Sequence, residues 1–536
     1  MFYSNKLLKA AIVPLALSGI IAASFSSCKK QLDAGPVDGT YSAVFWTSQA
    51  NVEEAAAAMY AQLRVNLDQT GPYSGEGAYF VRGDLVSSSF TTTGGNYDEF
   101  LTQFLPSGNF NFGYTPYWGT QLQDWSTFYT TIALCNEVLL HVPQMPTSLF
   151  SNAALQNSYI AEAYFVRAYA YFYMCETWGD PVYVSKTFDD VDYGHIPPIP
   201  RSPTSVVVDS CLADLRIAQA YLPYAGGDPT KTIRANKGSV QALMANMFAW
   251  VHNYDSAHYY CQQVINNGAY ALEPMATYAN IWKGMVSNES IFELPMLYQV
   301  NDPNFRSGST YSEAGFLFFA TFLKGAIVNN QKTQCWLVPP DGVMIPSQGS
   351  SAIFDTVHDA RFSSILTYSP ANGGDASGYM LEKYGNFLYQ QPNSNPSIPG
   401  NYPYINNDLV LLRLSDIYLL DAEALAYKGN LAGAATDLAF TEGRAGINSY
   451  ATITNPSDML DEVISEQGRE FIGEGKWFFT LIRTDSTQHW LENVIGYNPV
   501  KVALKGYFWP LDMATLFPYD NLLTQNPWWA AHPNNN

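Results

Sequence analysis

The side-chain types that carry out most enzyme chemistry are present in this chain, but they are not spaced for it. The nearest histidines that could share a site, His252 and His258, are 6 positions apart, which fits neither the i,i+3 nor the i,i+4 spacing of ligands on one helix face. The sequence contains no Gly-x-Ser-x-Gly, Gly-x-x-x-x-Gly-Lys or His-Glu-x-x-His motif. It therefore predicts no catalytic residue and no enzyme.

Carboxylates offer two alternatives to that interpretation. Asp189, Asp190 and Asp192 precede Gly194 and could supply oxygen ligands to calcium, but the glutamate that completes a calcium loop is missing, so a solvated turn fits better. Among 47 acidic residues, a pair could also flank a glycosidic bond, as in a glycoside hydrolase, but nothing marks a specific pair. We therefore predict no cofactor and no metal, with calcium as the alternative.

The composition favours a neutral polar ligand. The chain has 536 residues, a net charge of -20, only 14% charged residues and 15% aromatic residues. A nucleic-acid-binding protein needs Lys and Arg to displace counterions from phosphates, so this acidic, charge-poor composition argues against that class. An abundance of Tyr, Phe and Trp suits ligands with flat apolar faces.

The N-terminus resembles a bacterial lipoprotein signal. Lys6 and Lys9 precede a short apolar run over residues 10–23, and small residues lead directly to Cys28. The run is too short to span a bilayer comfortably. We predict that residues 1–27 are removed and that Cys28 carries the lipid, an ordinary signal peptide being the alternative. The mature chain would then be anchored to the membrane by lipid and would not span it.

The remaining cysteines are odd in number and widely separated, which fits neither a disulfide framework nor a zinc site. Four of them lie in apolar helical patterns and are predicted to be buried small hydrophobic residues: Cys135, Cys175, Cys211 and Cys261. Trp118 and Trp125 are predicted to be core residues because they lie at helical spacing.

Hydrophobic periodicity predicts a mainly α protein with a loop-rich, short-strand region in the middle. Helices are predicted over 50–67, 121–142, 153–177, 204–222, 237–250, 256–266, 410–428, 431–440 and 457–471, and a strand over 290–297. Helix pairs of this length suggest tetratricopeptide-like packing, although no strict repeat is present. Because Gly, Pro, Asn and Ser become frequent from about residue 268, we predict an N-terminal helical region over 28–267 and a C-terminal region with variable loops over 268–536.

Several characteristic blocks are spread along the chain, and they include 45–47, 133–139, 161–169, 178–182, 237–243, 289–293, 359–361, 412–424, 466–483 and 509–511. Together and in this order, they resemble the SusD/RagB family of outer-membrane nutrient-binding lipoproteins from Bacteroidetes. The charged residues within these blocks are better explained as scaffold than as acid–base groups, because charges in apolar helices need partners. The resemblance implies a SusD-like fold without catalytic activity.

The resemblance also implies a function at the outer cell surface. A SusD-like protein would bind a glycan and deliver it to a SusC-like TonB-dependent transporter; binding of peptides or other oligomers is the alternative. The resemblance implies that ligand contacts come from two loop regions, a first one over 82–118 and a second one over 298–337. We predict that Tyr97 and Trp336 are stacking platforms for the ligand. The alternative for Trp336 is that it is an aromatic residue of the core. The other predicted ligand-binding residues are Arg82, Asn96, Asp98, Tyr298 and Tyr311.

Overall fold

The computed structural model describes residues 45–68, 78–87, 89–92, 122–187, 197–225, 232–283, 287–296, 336–339, 344–345, 353–370, 377–384, 387–388, 404–405, 407–493 and 497–532. The helices in these ranges are α1 (Gln49–Asp68), α2 (Ala78–Gly83), α3 (Ser126–His141), α4 (Ala153–Trp178), α5 (Thr204–Tyr221), α6 (Lys237–Trp250), α7 (Tyr254–Ile265), α8 (Ala360–Ile365), α9 (Leu414–Tyr427), α10 (Leu431–Ala445), α11 (Pro456–Phe471), α12 (Trp477–Arg483), α13 (Thr487–Leu491), α14 (Pro499–Ala503) and α15 (Pro527–Ala531). The strands are β1 (Thr91–Thr92), β2 (Ser290–Pro295), β3 (Trp336–Leu337), β4 (Leu366–Ser369), β5 (Gly378–Leu381), β6 (Phe387–Leu388), β7 (Tyr404–Ile405) and β8 (Asp408–Arg413).

Asparagine side chains begin several of the long helices. Asn236 accepts a hydrogen bond from the Ser239 amide at 3.0 Å, and the Ser239 hydroxyl accepts one from the Asn236 amide at 2.9 Å. This reciprocal pair satisfies amides that have no partner within the first turn. Other helices have the same type of N-cap, with Asn152, Asn253, Asn430, Asn455 and Asn498 as the capping residues. The caps explain why the predicted helix starts lie close to the observed ones.

The helices pack as successive neighbours, in agreement with the predicted helical-pair scaffold. Helix α4 packs between α3 and α5, α6 packs on α7, and α9 packs on α7, α10 and α11. The large hydrophobic core extends from Val52 on α1 to Trp529 on α15. Cys135, Cys175, Cys211 and Cys261 are buried and free within it, as predicted.

Two predicted helices are wrong at their start: the one over 121–142 begins only at Ser126, and the one over 410–428 also begins later than predicted. Residues 408–413 form β8, which pairs antiparallel with β2, and the helix begins only at Leu414. Residues 409–412 are all apolar and buried on both faces of the ladder, so their pattern does not distinguish a strand from a buried helix. The predicted strand at 290–297 is confirmed over Ser290–Pro295.

Within the described ranges, no helix is both long enough and apolar enough to cross a bilayer. Trp125 is buried, as predicted, and Trp118 lies outside the described residues. The division at residue 268 remains a prediction.

Candidate functional site

A short antiparallel ladder joins the two loop regions that the sequence analysis selected. Strand β1 pairs with β3, with Thr91 opposite Leu337 and Thr92 opposite Trp336. The first region continues from Thr92 towards Asn96 along the chain, whereas the second reaches the ladder at Trp336. Backbone pairing therefore brings together two segments that are more than 240 positions apart in the sequence.

The ladder is linked to a second pair of strands that carries two tyrosines. Val338 forms an antiparallel bridge with Tyr379 on β5, and Tyr379 is opposite Tyr368 on β4. The Tyr368 and Tyr379 rings lie 5.2 Å apart at an angle of 63°, and 52% of Tyr368 is exposed. Phe362 packs against Tyr379 from α8 with the ring centres 5.1 Å apart. An exposed aromatic residue with a packed support thus lies on β4, which β5 separates from the strand of Trp336.

The sequence analysis did not select Tyr368 and Tyr379. Each lies on a strand of only 4 residues, which is too short for an alternating pattern to stand out. A local signal was available for Tyr368, because Ser369 and Pro370 follow it and such a pair often marks a turn at the end of an element. The position of both tyrosines in the same run of strands as Trp336 depends on pairing between distant strands, which no short sequence pattern specifies.

Arg82 requires a correction. The sequence analysis assigned it to ligand hydroxyls, but its side chain is fully buried. Its Nη2 donates to the Leu122 carbonyl at 3.0 Å, and its guanidinium lies 4.5 Å from the centre of a Trp178 ring. A buried guanidinium needs such partners to offset its lost hydration. Arg82 is therefore a core residue that holds α2 against α4.

The other predicted binding residues lie outside the described residues: Asn96, Tyr97, Asp98, Tyr298 and Tyr311. The same is true of Cys28 and of the acidic run at Asp189, Asp190 and Asp192. Trp336 has a described backbone in β3, and its side chain is not described. Their roles remain predictions.

The strands rest on a buried ionic cluster that begins at α8. Arg361 is completely buried; its guanidinium contacts Asp359 at 2.8 Å, Glu466 at 2.6 Å and Glu470 at 2.8 Å. Burial on its own lowers the pKa of Arg361, but the carboxylates outweigh it and raise that pKa well above its usual range. Since β4 begins at Leu366, directly after α8, these pairs fix one end of the β4–β5 pair to α11.

A second part of the cluster holds the same end of the strand pair, where Leu366 is opposite Leu381. Lys383 follows β5 and donates to Glu474 at 2.6 Å, and Glu474 also accepts from Arg413 at 2.8 Å. Burial alone would raise the pKa of Glu474, but Arg413, Lys383 and Lys476 outweigh it and lower that pKa to about 2. Burial lowers the pKa of Lys383 to about 8 despite the neighbouring carboxylate.

Arg413 connects this part to further carboxylates. It contacts Glu289 at 2.7 Å and Glu470 at 2.6 Å, and Arg444 pairs with both of these glutamates. Each carboxylate here accepts hydrogen bonds from buried cationic side chains, which is the arrangement of a scaffold. This agrees with the structural interpretation of the charged motif residues.

Comparisons with known proteins match both halves of the chain. Residues 359–529 match the model described as "SusD family", and residues 78–286 match the one described as "Starch-binding associating with outer membrane". The chain belongs to the SusD/RagB family. The first match begins at Asp359 and contains Arg361, Lys383 and Arg413, so most of the buried ionic cluster falls inside it.

Relatives of this SusD/RagB protein align over most of its length. SusD-like protein P38 from Formosa agariphila is 22% identical over 522 residues, which cover 91% of this chain and 93% of that protein. A solved SusD homologue from Bacteroides thetaiotaomicron has a TM-score of 0.70 at 22% identity, covering 90% of this chain and 98% of its own. A structure described as a laminarin-binding SusD-like protein has a TM-score of 0.67 at 18% identity, covering 90% and 99%. These similarities establish the SusD fold.

Proposed function

We propose that this SusD/RagB protein is a non-catalytic, lipid-anchored protein of the outer membrane that binds a neutral glycan and delivers it to a SusC-like TonB-dependent transporter. The observation that carries the proposal is the β1–β3 ladder, because it unites the two loop regions in which the family resemblance implies ligand contacts. The proposed location is supported by the matching family model that is described as associating with the outer membrane. The proposed ligand class is supported by the similar structure described as a laminarin-binding SusD-like protein.

The chemistry of the described residues suits a sugar ring. A pyranose has an apolar C–H face that stacks on an aromatic ring and hydroxyls that need hydrogen-bonding partners. Tyr368 is half exposed, and its ring packs against Tyr379, which in turn packs against Phe362. These contacts hold the Tyr368 ring in place for stacking on a sugar. Trp336 lies in the same run of paired strands, with β5 between β3 and β4, so the two residues would offer separate stacking surfaces to one chain of neutral sugars.

The buried ionic cluster gives these strands their rigidity. Arg361 before β4 and Lys383 after β5 tie one end of the strand pair, where Leu366 is opposite Leu381, to the helical scaffold. A site whose supporting residues are locked by packing loses less conformational entropy when it binds, and this offsets the weak contact made by each ring. The charged residues of the family motifs would therefore position the site and would take no part in proton transfer.

Binding is tested by native affinity electrophoresis and calorimetry with laminarin, amylopectin and a peptide mixture. Wild-type protein is expected to be retarded by at least one glycan, and Tyr368→Ala and Trp336→Ala to weaken that binding by about tenfold each, the order expected for losing one stacked ring. Tyr259→Ala is the matched control, because Tyr259 is 56% exposed on α7, a helix that carries no predicted site residue.

Other results would refute the proposal. Binding of peptides without any glycan would favour the peptide-import alternative. Release of reducing sugar from either polysaccharide, abolished by changing a single carboxylate, would make the protein a hydrolase.

The anchor and the partner have their own test. Cys28→Ala is expected to move the protein from the membrane fraction to the soluble one, since lipidation is the proposed anchor. A tagged wild-type chain is expected to co-purify a TonB-dependent transporter from detergent-solubilised outer membranes. Membrane retention of Cys28→Ala, or purification without such a transporter, would count against this part of the proposal.

A further inference from the structure

A recess of about 450 Å³ lies on α10, away from the strands of the proposed site. It is lined by Ala435, Thr436, Ala439, Phe440 and Tyr450. The four α10 residues are one and four positions apart, so they share one face of the helix. Tyr450 comes from the short turn of 3-10 helix over Ser449–Thr452 and closes one side.

Phe440 is held as a flat platform in this recess. Its ring stacks on the largely buried Tyr418 ring, with the centres 4.2 Å apart and an angle of 21° between the planes. Even so, 45% of Phe440 remains exposed. The ring therefore has its orientation fixed by one contact while much of its surface faces solvent, and covering that surface would be favourable.

The walls of the recess suit an uncharged ligand with hydroxyl groups. None of its lining residues carries a charge. The Thr436 hydroxyl donates to the Ala432 carbonyl at 2.8 Å, which leaves its oxygen free to accept a hydrogen bond. The Tyr450 hydroxyl has no hydrogen-bond partner in the described part of the chain, so it can both donate and accept. Ala435 and Ala439 contribute only methyl groups to the lining.

The size of the recess decides the class of ligand. A stable protein partner covers roughly 800 Å² on each side, far more than a patch of this size offers. The volume falls in the roughly 300–1,000 Å³ range of small-ligand pockets. We infer that the recess is a second subsite for a single neutral sugar ring, which stacks on Phe440 and hydrogen-bonds to Thr436 and Tyr450. The inference rests on the proposed glycan-binding function and extends it to a separate surface.

A second subsite makes a prediction about ligand length. A long glycan can contact both sites at once and gain from the effective concentration of the second contact, whereas a short one occupies one site at a time. Loss of the recess should therefore weaken polysaccharide binding far more than oligosaccharide binding.

The experiment compares laminarin and amylopectin with laminarihexaose and maltohexaose, using the full mature chain. Phe440→Ala is expected to weaken binding to the retained polysaccharide by about tenfold and binding to the matching hexasaccharide by less than about twofold, following the avidity argument. Phe440→Trp keeps an aromatic ring and is expected to bind the polysaccharide at least as well as wild type. Tyr259→Ala, which removes an exposed aromatic residue elsewhere, is expected to change neither affinity.

The outcomes separate the two proposals. If wild type binds a polysaccharide and Phe440→Ala binds it equally well, the recess is not a subsite and the glycan-binding function stands. If Phe440→Ala and Phe440→Trp lose binding to the same degree, the ring is not a stacking platform, and the inference also fails. If wild type binds neither polysaccharide and neither hexasaccharide, both the proposed function and the subsite are refuted.

Discussion

Glu474 provides the sharpest test of the buried ionic cluster. Its carboxylate is 1% exposed and accepts from Arg413 Nε at 3.0 Å, from Arg413 Nη2 at 2.8 Å and from Lys383 at 2.6 Å. Gln at this position has nearly the same shape but no charge. The substitution Glu474→Gln therefore removes the charge and turns one accepting oxygen into an NH2 donor that faces Arg413 or Lys383, while the volume of the side chain stays almost unchanged.

The magnitude follows from the pKa of Glu474. Burial opposes ionisation, but Arg413, Lys383 and Lys476 outweigh it and lower the pKa from its ordinary 4.5 to about 2. At about 1.4 kcal/mol for each tenfold change in the dissociation constant, the ionised carboxylate stabilises the fold by about 3 kcal/mol at pH 7. That is a large fraction of the roughly 5–15 kcal/mol that typically separates folded from unfolded chains.

The pH dependence gives the test its sign. Because the folded pKa is depressed, the stabilisation is complete above the unfolded value near 4.5 and is lost as the pH falls through about 2. Wild type should thus be more stable than Glu474→Gln by about 3 kcal/mol at pH 7, and the difference should shrink to about half near pH 3. At low pH the protonated Glu474 resembles the glutamine that replaces it.

Urea unfolding at several pH values measures this difference directly. Glu54→Gln is the matched control, because Glu54 is exposed on α1, and it should change stability by less than about 0.5 kcal/mol at any pH. A Glu474→Gln difference that stays constant from pH 7 to pH 3, or that is smaller than about 1 kcal/mol at pH 7, would refute the assignment of Glu474 as an ionised partner of Arg413 and Lys383.

Other predictions concern close packing and a buried acid pair. A Cβ atom on Gly83 would lie 1.8 Å from the Gly475 carbonyl oxygen, so Gly83→Ala should lower the unfolding free energy by about 3 kcal/mol or more in urea titrations; a variant as stable as wild type would show that the two backbones are not in contact. Gly443→Ala has open space around its Cβ and should instead stabilise α10 by about 0.5–1 kcal/mol, an expectation that a loss of stability would contradict. Burial and the neighbouring Asp421 raise the pKa of Asp437 to about 8, so the folded protein holds an extra proton from about pH 4 to pH 8 and loses stability as the pH rises through that window. The unfolding free energy of Asp437→Asn in urea titrations should therefore match that of wild type near pH 4 and exceed it at pH 8. An equal difference at both pH values would exclude the extra proton on Asp437.

Local patterns predicted the helices well, because their determinants lie within a few residues. The helix predicted over 237–250 is observed as Lys237–Trp250, and the one predicted over 153–177 is observed as Ala153–Trp178. In both cases an asparagine side chain directly before the helix caps its first turn. The four cysteines predicted to be buried are buried for the same reason: each lies on the apolar face of its helix.

The site was predictable only in part. The sequence directed attention to two loop regions and to Trp336, and the β1–β3 ladder joins these regions. It did not predict that Tyr368 would lie in the same run of paired strands, since that depends on the Val338–Tyr379 bridge and on the β4–β5 register. The prediction for Arg82 was wrong because the sequence around a charged residue gives no direct sign that the residue is buried. The Leu122 carbonyl and the Trp178 ring, which contact the buried guanidinium, come from distant positions in the chain.

By itself, then, the sequence determined the helical frame, because periodicity and capping residues act locally, and it indicated the family through motifs spread along the chain. The class of ligand remains a proposal. Only the tertiary structure decided which strands pair, which motif charges meet and which rings remain exposed. Arg361, Arg413 and Glu474 lie in separate blocks, and each would be costly to bury alone. They are stable in the interior because folding brings opposite charges from those blocks within hydrogen-bond distance of one another.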